Sequence, residues 1–154
     1  VLQIVIRYMK RLILLIALFS LGSIQAQELP DYITEASSKF TLKVEGLKEP
    51  KGEVRIAIFN SEDSYTKEPI YAIVLTVDNN LIEWEVPDLP FGEYAIAVYH
   101  DKNKNGKLDT NLLGIPKENY GFSNNARGRF GPASWHDAKF EIQEKSTTHR
   151  IEIK

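Results

Sequence analysis

Glu93-Tyr-Ala-Ile-Ala-Val-Tyr-His100, running straight into Asp101-Lys-Asn-Lys-Asn-Gly-Lys-Leu-Asp109, is the stretch that decides the fold. Its first half is rich in aromatic and β-branched residues and reads as a strand. Its second half spaces oxygen donors as a calcium loop does. Asp101, Asn103, Asn105 and Asp109 fall at loop positions 1, 3, 5 and 9, and the Lys107 carbonyl falls at position 7. Gly106 sits where such a loop turns sharply. A hard cation takes about six to eight oxygens, and short side chains at alternate positions can converge on one point. The element before the loop is a strand rather than a helix, and position 12 is Leu112, so this is not a helix-loop-helix site. Further ligands would come from elsewhere, with Asn111, Glu118 and Asn124 as candidates. The competing reading is that Asn105-Gly106 is simply a hairpin turn.

Outward from this stretch the pattern stays β. Phe40, Leu42 and Val44 alternate with polar residues up to Gly46; Val54, Ile56 and Ile58 alternate with Arg55, Ala57 and Phe59 up to Asn60-Ser61. Ile70–Val77, Leu81–Val86, Ala138–Ile142 and His149–Lys154 are the remaining candidates, and Asp88-Leu-Pro-Phe-Gly92 reads as a turn. Seven short strands with no amphipathic helix predict an all-β chain, an antiparallel β-sandwich. A small helical turn fits Ser61–Lys67.

The exception is Thr110–Asp137, which is too long for an ordinary connection and has no strand pattern. Four glycines and two prolines shape its backbone, and its aromatic residues set it apart from a disordered segment. The expectation is one long ordered loop packed on the sandwich beside Asp101–Asp109. Tyr120, Phe122, Phe130 and Trp135 would form a mini-core beneath it or a stacking platform for a glycan or other planar ligand. Arg127 and Arg129 could grip a carboxylate or phosphate, or lie solvated.

The N-terminus addresses the compartment. Met9-Lys-Arg11 precedes the apolar run Leu12–Leu21, which is short for a membrane span, and Ser23-Ile-Gln-Ala26 offers a cleavage site. We therefore expect a signal peptide over 1–26 (with 1–8 upstream of a start at Met9), a flexible tether over 27–38 and the sandwich domain over 39–154. An uncleaved anchor is the alternative. Cleavage predicts export, to the periplasm or beyond, with no membrane span left. There is no cysteine, hence no disulfide and no lipid-anchor thiol. Cleavage removes Arg7, Lys10 and Arg11 and no acid, moving the formal net charge from −2 to −5. An acidic domain of this size argues against a nucleic-acid partner.

Catalytic signatures are sparse. His100 lies beside Asp101 and His136 beside Asp137, but neighbours on a strand point to opposite faces, so neither pair is a dyad by adjacency. His149, at the start of the last candidate strand, reads as a surface residue. There is no cysteine nucleophile, Gly-x-Ser-x-Gly elbow or His-Glu-x-x-His motif. Ser123 with His100 or His136 would be a nucleophile-base pair only if the long segment folded back. His100 could instead buttress the acidic loop by hydrogen bonding.

Several of these motifs occur together and in order. They are Leu89-Pro-Phe-Gly-Glu-Tyr94, His100–Asn111, Leu113-Gly-Ile-Pro-Lys-Glu-Asn-Tyr-Gly-Phe-Ser-Asn-Asn125 and Phe130-Gly-Pro-Ala-Ser-Trp135. From about Phe40 to Lys154 the chain resembles the bacterial exported-protein family catalogued as domain of unknown function 2141. The resemblance implies an exported sandwich similar to transthyretin-like or carboxypeptidase-regulatory-like domains, and no particular activity. The functional expectation is therefore a non-catalytic, calcium-stabilised module. Its loop surface would bind a glycan, a peptide or an envelope protein. The alternatives are a structural envelope protein with a folding-only metal site, and a hydrolase using the loop histidines.

Overall fold

The computed structural model describes residues 36–154, so the expected signal peptide and residues 27–35 of the expected tether lie outside the described residues. Eight strands form: β1 (Ser37–Glu45), β2 (Glu53–Phe59), β3 (Tyr71–Thr76), β4 (Ile82–Pro90), β5 (Gly92–Asp101), β6 (Tyr120–Phe122), β7 (Phe140–Ile142) and β8 (Ser146–Glu152). One sheet runs β4-β1-β8; the other runs β3-β2-β5-β6, with β7 pairing the first residues of β5. The fold is an all-β sandwich, as the alternating pattern requires.

The alternation explains the first core. Phe40, Leu42 and Val44 of β1 face Val54, Ile56 and Ile58 of β2 and Ile96 and Val98 of β5, all buried. Each such side chain contributes roughly 1.5–3 kcal/mol by leaving water. Both cores and the strand pairs of the described residues lie within 37–154. This part of the chain thus supplies its own folding partners.

Three details differ from the sequence reading. β1 begins at Ser37, inside the expected tether, because the small Ser38 can be buried with its hydroxyl donating to Thr147 Oγ1 at 3.2 Å. β1 and β8 pair in parallel, register Leu42↔His149, while the other ladders are antiparallel. A parallel pair needs a long crossover, and the rest of the domain supplies it. The Asp88–Gly92 turn is tighter than expected: β4 continues to Pro90, and only Phe91 separates it from β5 in the other sheet. The expected helical turn over Ser61–Lys67 is present as hydrogen-bonded turns, with Tyr65 N–H donating to the Glu62 carbonyl at 3.2 Å and Glu68 N–H to the Ser64 carbonyl at 2.9 Å.

The long segment is the largest departure. It contains β6, a 3₁₀ turn (Ser123–Asn125) and a one-turn helix α1 (Trp135–Ala138) whose N-cap Ser134 accepts the Asp137 N–H. β6 adds to β5 through Ala97↔Phe122 and Tyr99↔Tyr120. It also touches the other sheet, since Lys154 N–H donates to the Tyr120 carbonyl at 3.2 Å. A Cβ on Gly121 would lie 2.9 Å from Ile151 Cγ2, so glycine is what lets the two sheets close along this edge. The outer face of β5 carries Ala95 and Ala97. On these small residues sits a second core of Phe59, Tyr65, Phe122, Ala133, Trp135 and Ala138.

Candidate functional site

Asp101 ends β5 and points to the face opposite His100, as strand periodicity demands. Its carboxylate is fully buried. Asn105 N–H donates to Oδ1 at 3.0 Å; Gly106 N–H and Arg55 Nε donate to Oδ2 at 2.7 and 2.8 Å. Burial raises the pKa of this carboxyl, but the bonds from Gly106, Arg55 and Asn105 outweigh it and hold the group below its ordinary range. Arg55 is raised in turn, chiefly by its bond to Asp101. Gly106 turns with φ +78° and Lys104 with φ +60°. Glu118 is also buried, and its two oxygens take Lys102 N–H at 2.9 Å and Asp109 N–H at 3.0 Å. One carboxylate thus clamps both ends of the loop.

The outer part of the loop is different. Asn103 Nδ2 donates to Asp109 Oδ2 at 2.7 Å and Asn105 Nδ2 to Asp109 Oδ1 at 3.1 Å. Asn103 Oδ1 accepts Asn105 N–H, and Asn105 Oδ1 accepts Lys107 N–H at 2.8 Å. Three of the five expected ligands, Asn103, Asn105 and Asp109, therefore meet side chain to side chain. Asp101 lies beneath them, tied to the Asn105 backbone. Among the described residues no three His, Cys, Asp or Glu side chains cluster as a metal site. Any cation here would rely on amide and backbone oxygens, with Asp109 as the carboxylate left available. That donor set suits a hard cation bound weakly.

The proposed additional ligands have other work. Glu118 is spent on backbone N–H groups. Asn111 Oδ1 accepts Leu113 N–H and Ile115 N–H at 2.9 and 3.0 Å, shaping its own turn. Asn124, at φ +58°, donates to the Asp137 and Lys139 carbonyls and holds the 3₁₀ turn to α1.

The expected binding-loop residues divide. Phe122 and Trp135 are buried in the second core, so the mini-core reading describes them, and Trp135 offers no face to a ligand. Tyr120 is half-buried, packs edge-on to Phe122 and lies 5.2 Å beneath the Arg127 guanidinium. Arg127 also donates to the Tyr120 carbonyl at 3.0 Å, which makes it a brace rather than a solvated arm. Arg129 and Phe130 are exposed. They sit at a groove of about 590 Å³ between residues 108–116 and 128–132, with Tyr120 and Phe122 also lining it.

The histidines do not converge. His100 is buried and bonds the Lys51 carbonyl through Nε2 at 2.6 Å, so it anchors the strand end rather than the acidic loop; its Nδ1 has no partner among the described residues. His136 is exposed and lies 3.4 Å from its neighbour Asp137. Ser123 is buried, accepting Ile96 N–H at 2.9 Å and donating to the Ala138 carbonyl at 2.5 Å. No hydrogen bond joins Ser123 to either histidine. His149 is not a free surface residue: it stacks on Phe140 with centroids 4.1 Å apart and accepts Asn124 N–H at Nε2.

Two features escaped the sequence reading. Arg55 as the partner of Asp101 depends on the β2–β5 register and has no local signal. Leu112, Leu113 and Ile115 are exposed apolar residues; the clue was an apolar cluster inside a segment with no strand partner.

Residues 42–150 match a family described as an uncharacterized protein conserved in bacteria, DUF2141. The chain belongs to this family. No curated protein and no solved structure matches it. The DUF2141 assignment covers the acidic loop and the long segment together, in line with the motifs that suggested it.

Proposed function

We propose that this DUF2141 chain is an exported, non-catalytic binding module in which a weakly held calcium ion orders the Asp101–Asp109 loop. The loop in turn steadies the surface formed by Thr110–Pro116 and Gly128–Pro132, which meets a partner in the cell envelope. The observation that carries this reading is the meeting of Asn103, Asn105 and Asp109 on the solvent side of a turn already wound around Asp101. Each amide oxygen keeps a second lone pair beyond the backbone N–H it accepts, and displacing the two NH2 groups from Asp109 would open its carboxylate to a cation.

The test is thermal unfolding of residues 27–154 in calcium, in magnesium and in chelator, followed by Trp84 and Trp135 fluorescence. A ligand that binds only the folded state stabilises it by about 2.7 kcal/mol at a hundredfold excess over Kd. We expect a calcium-specific rise in Tm that Asp109→Ala abolishes. A rise of equal size in Asp109→Ala, or none in the parent, sinks the metal site.

A second reading has its own support. Asp101 and Glu118 are already satisfied by backbone N–H groups and Arg55, so the loop holds its shape through protein contacts. On that reading the chain is a structural envelope protein whose loop, unlike the folding-only metal site expected from the sequence, holds without a cation, and its Tm is the same in calcium and in chelator.

A further inference from the structure

The long segment exposes apolar side chains that a soluble surface does not need. Leu112, Leu113 and Phe130 are 105 %, 84 % and 104 % exposed, and Ile115 is 55 % exposed. Leu113, Ile115 and Phe130 line one groove, brought together from two separate parts of the segment. Clustered exposure of this kind marks an interaction site, whereas scattered apolar residues do not.

The exposed charge beside the groove is cationic. Lys104, Lys107, Lys117 and Arg129 are exposed and make no ion pair among the described residues. Lys107 and Lys117 bracket the Leu108–Pro116 wall, and Arg129 lies on the opposite wall beside Phe130. The nearby acids keep their charge but are turned inward: Asp101 and Glu53 share Arg55, Glu118 is buried on backbone N–H groups, and Asp109 is half-buried against the Asn103 and Asn105 amides. A basic rim around protruding Leu, Ile and Phe side chains is complementary to an anionic lipid interface, which takes the charges at its headgroups and the apolar tips just below them. Among the described residues no helix is long and apolar enough to cross a membrane.

We propose that this rim docks on an anionic membrane surface, with Leu112, Leu113, Ile115 and Phe130 entering the interface and Lys107, Lys117 and Arg129 contacting lipid phosphates. The inference rests on the reading of the long segment as the binding surface and names its partner.

The experiment is co-sedimentation of residues 27–154 with vesicles of phosphatidylcholine alone or mixed with phosphatidylglycerol, each in calcium and in chelator. The parent is expected to bind the mixed vesicles and to bind them less at high salt. Leu113→Ser with Phe130→Ser should lower the partition coefficient by about tenfold for each side chain. Lys107→Gln, Lys117→Gln and Arg129→Gln should each lower it by about fivefold, and only on the anionic vesicles. All of these sites are exposed, and an unchanged Tm confirms that the variants are folded. Binding in calcium that is lost in chelator supports both the lipid surface and the cation's ordering role. Equal binding in both arms supports the lipid surface and removes the cation from it. No binding to either vesicle, with a calcium-induced rise in Tm intact, overturns the lipid surface and leaves the metal site standing. Parent-level binding by the serine variant overturns it too. So does a dimer seen by light scattering that the serine variant abolishes, since a second copy would then cover the rim.

Discussion

Trp135 and Phe130 lie five residues apart in one Gly- and Pro-rich segment, and they have opposite fates. Trp135 is 8 % exposed and Phe130 is 104 % exposed. Nothing local separates them: both are large aromatics among small residues. The difference lies in what the rest of the domain places beneath each. Under Trp135 the outer face of β5 offers Ala95, and Tyr65 comes across from the β2–β3 connection with its ring centroid 5.7 Å from the indole. Ser123 adds a polar rivet by bonding β5 on one side and α1 on the other. Under Phe130 no such floor exists. An aromatic residue in a long connection is thus a core residue or a surface residue according to its vertical partner.

Substitutions at the two aromatics break this comparison most directly. Trp135→Ala should cost about 3–5 kcal/mol, as for a large residue removed from a packed core. Phe130→Ala should change stability by no more than about 0.5 kcal/mol. Urea unfolding of both variants measures the contrast, and similar losses would refute the division.

The packed half should also carry a pH signature that the exposed half lacks. Burial holds the His149 pKa below its ordinary value, and neutral Nε2 is needed to accept Asn124 N–H. The unfolded chain therefore takes up this proton first as pH falls. Stability from this site is complete above about pH 6.5 and is lost as pH drops from there through the depressed folded value. His149→Gln should flatten that slope in urea midpoints measured across the window; an unchanged slope would assign it to other groups.

The smallest effect is expected at Tyr65. Its hydroxyl is buried without a partner among the described residues, and burial pushes its pKa up to about 12. Tyr65→Phe should shift stability by less than about 1 kcal/mol, toward greater stability, because an unsatisfied group is removed. A loss of more than this would show that the hydroxyl has a partner in solution.

Much of the fold was legible. The 2-residue period of Phe40–Val44 and Val54–Ile58 placed β1 and β2 and half the inter-sheet core, because one buried face imposes that period. β6 was not legible: three residues are too few to show a period, and its glycine is explained only by Ile151 behind it. Of the candidate site, the donor spacing from Asp101 to Asp109 was readable, and the outer three side chains do meet. The roles of Glu118, Asn111 and Asn124 were not, since each is set by which backbone N–H or C=O happens to face it.

The amino-acid sequence by itself determined seven of the eight strands, the sandwich, the family and the turn around Gly106. These depend on local period, on residue type and on spacing along the chain. Tertiary structure alone decided that Arg55 neutralises Asp101, that Glu118 clamps the loop, and that Trp135 is buried while Phe130 is offered to solvent. Each of those outcomes depends on strand register and sheet closure, which bring together residues far apart in the chain and leave no trace in the neighbours of any one of them.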